Sequence, residues 1–240
     1  MSSTDPTASA LPARYRTYWG TEFWQVVDGA LRSGAAVLDI GAGRKPTISP
    51  PRRPAGSHYV GLDISGEELR EAPAGAYDEI VVADVQRLVP ELIDRFDLIV
   101  TWQAMEHVRD LEAAIDNVRS YARGGGWFVA CLSGRHAVFA IANRMLPKRV
   151  SRTLVARLRR RPPETVFPAY YDRCDERGLR ALFSGWEEVR IIPLWHGADY
   201  FSRLPRLRAV YLRYEDWAIK RGLTNLATHY VVAARRPAGG

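Results

Sequence analysis

The chain has 240 residues, of which 47% are hydrophobic and 25% charged, with a formal net charge of +7. That length suits one large domain or two small ones, and the composition excludes a wholly disordered or collagen-like chain. The longest apolar runs, 127–132 and 137–142, are far short of the roughly 18 residues a membrane-spanning helix needs, and two cysteines supply neither a disulfide framework nor a zinc cluster.

Residues 1–13, rich in Ser, Thr, Ala and Pro, read as a mobile tail ahead of a single domain over 14–240. The opening residues carry no basic-then-apolar leader, so the expected compartment is the cytoplasm. Phe23, Trp24, Val27 and Leu31 recur at helical spacing and predict a helix over 20–32. Short apolar runs then alternate with polar or helical stretches, and strands are predicted at 36–40, 59–62, 80–83, 98–101, 127–132, 189–194 and 230–233. Between the fourth and fifth, Leu111, Ala114, Ile115, Val118 and Tyr121 line one helix face, with Gly124-Gly125-Gly126 as its stop. This alternation predicts an α/β fold, a doubly wound, mostly parallel seven-strand sheet with helices on both faces. Residues 134–168 interrupt it as a helical lid insertion. The stretch 200–220, with Leu204, Leu207, Val210, Tyr211, Tyr214 and Trp217 on one side, reads as a packing helix, and the last strand as an edge.

The strongest local signal is V-L-D-I-G-A-G-R-K-P, residues 37–46. An apolar strand runs into a tight turn where Gly41 and Gly43 let a ligand lie against the backbone. Asp63 ends the second strand 20 residues after Gly43, where a carboxylate can take both hydroxyls of an adenosine ribose. A dinucleotide fold would place a third glycine at position 46, which is Pro46, and Asp39 puts a negative charge before the turn. An acidic turn disfavours phosphates and suits a cofactor carrying an ammonium and a sulfonium, favouring S-adenosylmethionine over NAD.

V-L-D-I-G-A-G, Y-V-G-L-D-I-S, V-V-A-D-V and F-D-L-I-V-T-W-Q-A-M-E-H-V, in this order, resemble the class I methyltransferases that use S-adenosylmethionine. The resemblance implies that Asp39, Gly41 and Gly43 line the methionine part of the cofactor. It implies that Asp63 binds the ribose and that Asp84 with Val85 meets the adenine, with Ala42, Ile64, Trp102 and Gln103 also in the cofactor site. The family's usual third glycine is Lys45 here.

Ligands in such sheets bind beyond the carboxyl ends of the strands, where His107, His136 and His196 follow strands four, five and six. His107 is the leading catalytic candidate, with Glu106 beside it: either a base or substrate-orienting group, or a buttress of the loop over the cofactor. Glu106-His107 resembles the end of the Glu-x-x-Glu-His pattern of quinone-biosynthesis O-methyltransferases. Gln103 replaces the first glutamate, so no metal is expected. The sequence after strand four lacks the N/D-P-P-Y/F motif of amino-directed nucleic-acid enzymes, and Cys131 lies inside strand five, away from where cytosine chemistry needs a nucleophile. The resemblance leaves O-methylation of a small-molecule, glycan or lipid-linked acceptor, and Phe167, Tyr170 and Tyr171 could frame its pocket.

The charge is uneven. Residues 1–130 hold 13 basic and 18 acidic side chains, whereas 131–240 hold 21 and 9. Eight basic residues crowd 144–161, interleaved with apolar ones. Such a lid can rest on an anionic membrane surface, hold an acidic acceptor, or be a solvated face. RNA binding by the basic half, and a non-catalytic protein of the same fold, are the competing readings.

Overall fold

The structure is a computed structural model and describes residues 11–138, 140, 141 and 168–239. The expected tail up to residue 10, and the basic stretch 144–161 of the expected lid, lie outside the described residues.

Seven strands form one sheet in the order β3-β2-β1-β4-β5-β7-β6. They are β1 (Ala36–Ile40), β2 (His58–Asp63), β3 (Glu79–Val82), β4 (Phe96–Trp102), β5 (Ala122–Ser133), β6 (Glu187–Leu194) and β7 (His229–Arg235). The first five run parallel, and β7 is antiparallel to both its neighbours. Side-chain alternation splits each central strand between two cores. Val37, Leu98, Val100 and Val129 pack with Phe23 and Val27 of α1 (Thr21–Ala30). Leu38, Ile99 and Phe128 pack on the opposite face with Leu111, Ile115 and Val118 of α3 (Leu111–Tyr121). Asp110 caps α3 by accepting from the Ala113 N–H at 3.1 Å. The described residues also include the helices α2 (Gly66–Arg70), α4 (Glu176–Leu182) and α5 (Pro205–Lys220).

Three expectations change. The last strand is not an edge, because β7 fills the gap between β5 and β6 and its residues Tyr230–Ala234 are apolar and buried on both faces. The edge is β6, whose Arg190 and Pro193 suit a strand with one bare side. Gly124–Gly126 does not stop α3. The helix ends at Tyr121, Ala122 turns extended, and the glycines lie inside β5. They sit where chains come close: a Cβ on Gly124 would meet the Ala238 carbonyl oxygen at 3.0 Å, and one on Gly126 the Phe96 oxygen at 2.9 Å. The helix predicted over 200–220 begins at Pro205, and much of its apolar side faces outward.

Candidate cofactor and acceptor site

The turn after β1 is shaped from three directions. The Gly41 and Ala42 N–H groups both donate to the Leu62 carbonyl, at 2.8 and 3.2 Å. Gly41 has φ +70°, and a Cβ there would lie 2.3 Å from Ala104 Cβ, so this turn touches the loop after β4 backbone to side chain. The Tyr77 hydroxyl donates to the Ala42 carbonyl at 2.9 Å from the opposite side. Behind the turn, Asp39 is fully buried. One of its oxygens accepts from the Thr47 N–H (2.6 Å) and the Tyr59 hydroxyl (2.8 Å), the other from the Thr47 hydroxyl (2.7 Å). Burial pushes this carboxyl up to about 6, against those hydrogen bonds. Asp39 therefore braces the loop from inside. Its carboxylate is not on the open side of the turn.

Asp63 does face the turn. It accepts from the Gly43 N–H at 3.0 Å and from the Ser65 N–H at 2.8 Å, and burial raises its carboxyl. Ile64, next in sequence, is 62% exposed, an apolar side chain held at the rim. Asp84 accepts from the Gln86 backbone and side-chain N–H groups, and Gln86 in turn accepts from the Asp110 N–H at 2.8 Å. That chain ties the end of β3 to the start of α3. Val85 is buried, and its carbonyl accepts from Asn117 at 2.9 Å.

The loop after β4 carries the remaining candidates. Trp102 is half-buried among aromatic rings from the N-terminal segment, 4.8 Å from Trp19 and 4.9 Å from Phe23. Gln103 takes φ +53° and donates its N–H to the Cys131 carbonyl at 2.7 Å. Glu106 is buried. Its Oε1 accepts from the Ser133 hydroxyl at 2.7 Å, while its Oε2, also buried, has no hydrogen-bond partner among the described residues. The Glu106 carbonyl accepts from the Tyr170 and Tyr171 N–H groups, at 2.9 and 3.1 Å. Burial and the Glu106 charge push the thiols of Cys131 and Cys174 up, so neither is a ready nucleophile. His107 Nδ1 lies 3.0 Å from the Pro168 carbonyl oxygen.

Gly41 thus touches Ala104, and Ala104, Glu106 and His107 share the loop beyond β4. His136 and His196 follow β5 and β6. His136 faces Asp175 at 3.6 Å, and Asp175 caps α4. The His196 ring packs 5.1 Å from Tyr15, and burial lowers its basicity. Tyr170 is at the surface near Arg109, whereas Tyr171 is a core side chain; Phe167 lies outside the described residues.

Glu215 of α5 escaped the sequence reading. It is fully buried and accepts from the Gly197 N–H (2.8 Å) with Oε1 and from the Tyr15 hydroxyl (2.5 Å) with Oε2. The Tyr15 hydroxyl accepts from the Ala198 N–H at 2.9 Å. One carboxylate so pins the N-terminal segment to the loop after β6. Its signal was an acid at helical spacing between Tyr211 and Ala218 on an apolar face. Thr47, the partner of Asp39, had no comparable signal.

A family model described as a methyltransferase domain matches residues 14–173. The chain belongs to the class I S-adenosylmethionine-dependent methyltransferases. A ubiquinone biosynthesis O-methyltransferase of Methylobacterium sp. (strain 4-46) is 31% identical over 107 residues, 43% of either chain. One from Paraburkholderia phytofirmans is 26% identical, over 48% of this chain and 55% of its own. The chain spans about half the length of the curated relatives it matches. A solved Thermotoga maritima structure, described as a possible histamine N-methyltransferase, has TM-score 0.57 at 13% identity, covering 93% of this methyltransferase and 91% of that chain. That likeness is one of fold. The turn suits the family's cofactor: a Cβ on Gly43 would meet only Asp63 Oδ2 at 3.8 Å and Glu68 Oε2 at 3.9 Å, leaving room beside a carboxylate and an apolar rim.

Proposed function

We propose that this methyltransferase, a single domain over 14–240, methylates an oxygen of a small-molecule acceptor, the class including glycan- and lipid-linked alcohols. When bound, S-adenosylmethionine supplies an electrophilic methyl group. Gly41, Ala42 and Gly43 would hold it with Asp63 on its hydroxyls and Ile64, Asp84 and Val85 on the adenine side.

His107 carries the reading. A carbonyl oxygen only accepts, so the contact with Pro168 puts a proton on Nδ1 and orients the ring. In the neutral tautomer Nε2 is then the basic nitrogen, the one that would take a proton from an acceptor hydroxyl. Glu106 fixes the loop that carries this ring, through Ser133 and through the backbone of Tyr170 and Tyr171. Trp19 and Trp102, their rings 4.8 Å apart and tilted, offer apolar surface after β4 for an aromatic or lipid-like acceptor. The relatives named for ubiquinone O-methylation agree with oxygen as the target. The arginine-rich stretch 144–161 supports an anionic acceptor or contact with an anionic membrane from the cytoplasm. RNA binding by the basic half draws less support, because Arg173, Arg180, Arg208, Arg235 and Arg236 of that half are engaged in ion pairs.

The test pairs calorimetry with a radiolabelled methyl donor supplied to fractionated cell extract. Asp63→Ala should weaken cofactor binding at least tenfold, by order of magnitude from a lost charge-assisted bond. His107→Ala should leave cofactor affinity unchanged and lower turnover of the labelled product by about 10²-fold or more. Equal turnover in His107→Ala and parent, or label on nitrogen or carbon, refutes the proposal.

A further inference from the structure

Helix α5 is amphipathic twice. Its inner side, Tyr211, Glu215 and Ala218, is buried. Its outer side carries a second apolar stripe, with Leu207 44%, Val210 62% and Trp217 47% exposed. Tyr214 lies between them, its ring 6.2 Å from that of Trp217. Positions 207, 210, 214 and 217 follow the three-four spacing that keeps side chains on one helical line. Beside this line runs a basic one. Arg206, Arg213 and Lys220 recur every seventh residue, all exposed, and none forms an ion pair among the described residues.

We propose that this outer face of α5 docks on an anionic lipid bilayer. An apolar, aromatic stripe flanked by unpaired cations is the pattern of a helix lying in the headgroup plane, with its rings at the boundary and its charges on lipid phosphates. Charge argues against the other occupants. Residues 142–167 carry eight basic side chains against the single acid Glu164, and a second copy would present the same cations. Both would repel the column that they had to cover. The inner side of the same helix pins the loop after β6 and the N-terminal segment through Glu215. Docking therefore sets the carboxyl end of the sheet, where the acceptor site opens, beside the membrane. The proposal does not depend on which atom is methylated.

The experiment is co-sedimentation of the full chain with phosphatidylcholine vesicles, with and without phosphatidylglycerol, at low and high salt. The parent should partition onto the phosphatidylglycerol vesicles alone and come off in high salt. The variant R206Q/R213Q/K220Q should partition on the order of a hundredfold less, since each cation near an anionic surface is worth about fivefold. The variant V210S/W217S should weaken partition about tenfold, through lost apolar contact. Both variants alter exposed side chains, and unchanged thermal midpoints certify their folds. Four results overturn the proposal: no binding of the parent, equal binding to neutral vesicles, and variants that bind like the parent, which would move the contact to 142–167. The fourth is a parent dimer that V210S/W217S dissociates without change in vesicle binding, which would give the face to a second copy.

Discussion

Replacing Gly41 by alanine tests the contact that joins the cofactor turn to the acceptor loop. Two costs can be separated. The native φ of +70° is left-handed, which costs an L-residue about 1–2 kcal/mol. The new Cβ would lie 2.3 Å from Ala104 Cβ, whereas carbon atoms in contact sit about 3.5–4.0 Å apart. One loop must then move by more than an ångström, and overpacking of this kind costs about 1–3 kcal/mol. Gly41→Ala should therefore lose about 2–5 kcal/mol in urea unfolding, a large part of an ordinary domain's stability. The steric part alone is removable. With Ala104→Gly the nearest atom becomes the residue 104 Cα at 3.7 Å, an ordinary contact. The double variant should recover about 1–3 kcal/mol relative to Gly41→Ala, with cofactor affinity recovering in parallel by calorimetry. A Gly41→Ala chain as stable as the parent would falsify the reasoning, as would a double variant that recovers nothing.

The buried Asp39 should leave a pH signature. Its folded value of about 6 lies above the ordinary 3.8, so its stabilising contribution is complete below the unfolded value and lost as pH rises through about 6. Unfolding free energies measured from pH 4.5 to 7.5 should decline for the parent relative to Asp39→Asn by at most about 2 kcal/mol; parallel profiles would contradict this. For the Glu215 anchor, Glu215→Ala strands the Gly197 N–H and should destabilise by about 3 kcal/mol or more. Limited proteolysis should then open the segment around Tyr15. Glu215→Gln keeps an acceptor oxygen and should do less damage, so equal losses in the two variants would assign the effect to packing instead.

The strands were legible because runs such as Leu98–Val100 and Phe128–Leu132 are apolar on successive residues, the mark of burial on both faces. Their order was only partly legible. Tyr230–Ala234 reads as apolar wherever it sits, and nothing local distinguishes an edge from the seat between β5 and β6. At the site, Gly41 and Asp63 could be placed because each stands at a strand end with a distinctive side chain or lack of one. Asp39 was legible as an acid near the turn, but its inward orientation depends on Thr47 and Tyr59, which arrive from a loop and another strand. The Gly41–Ala104 contact was hidden for the same reason: it joins two loops 63 positions apart whose approach only the assembled sheet defines.

The seat of β7 has a consequence for how this chain reaches its fold. Residues 229–235 fill the interior of the sheet, so β6 has nothing to pair with until they have been made. Until then β5 offers its Trp127–Ser133 edge, mostly apolar, to any strand at hand. On a ribosome the parallel half can assemble early, yet closure waits for residues 229–235, and such distant pairings form slowly. The interval in which β5 stands bare is where this protein is most exposed to pairing with the wrong chain.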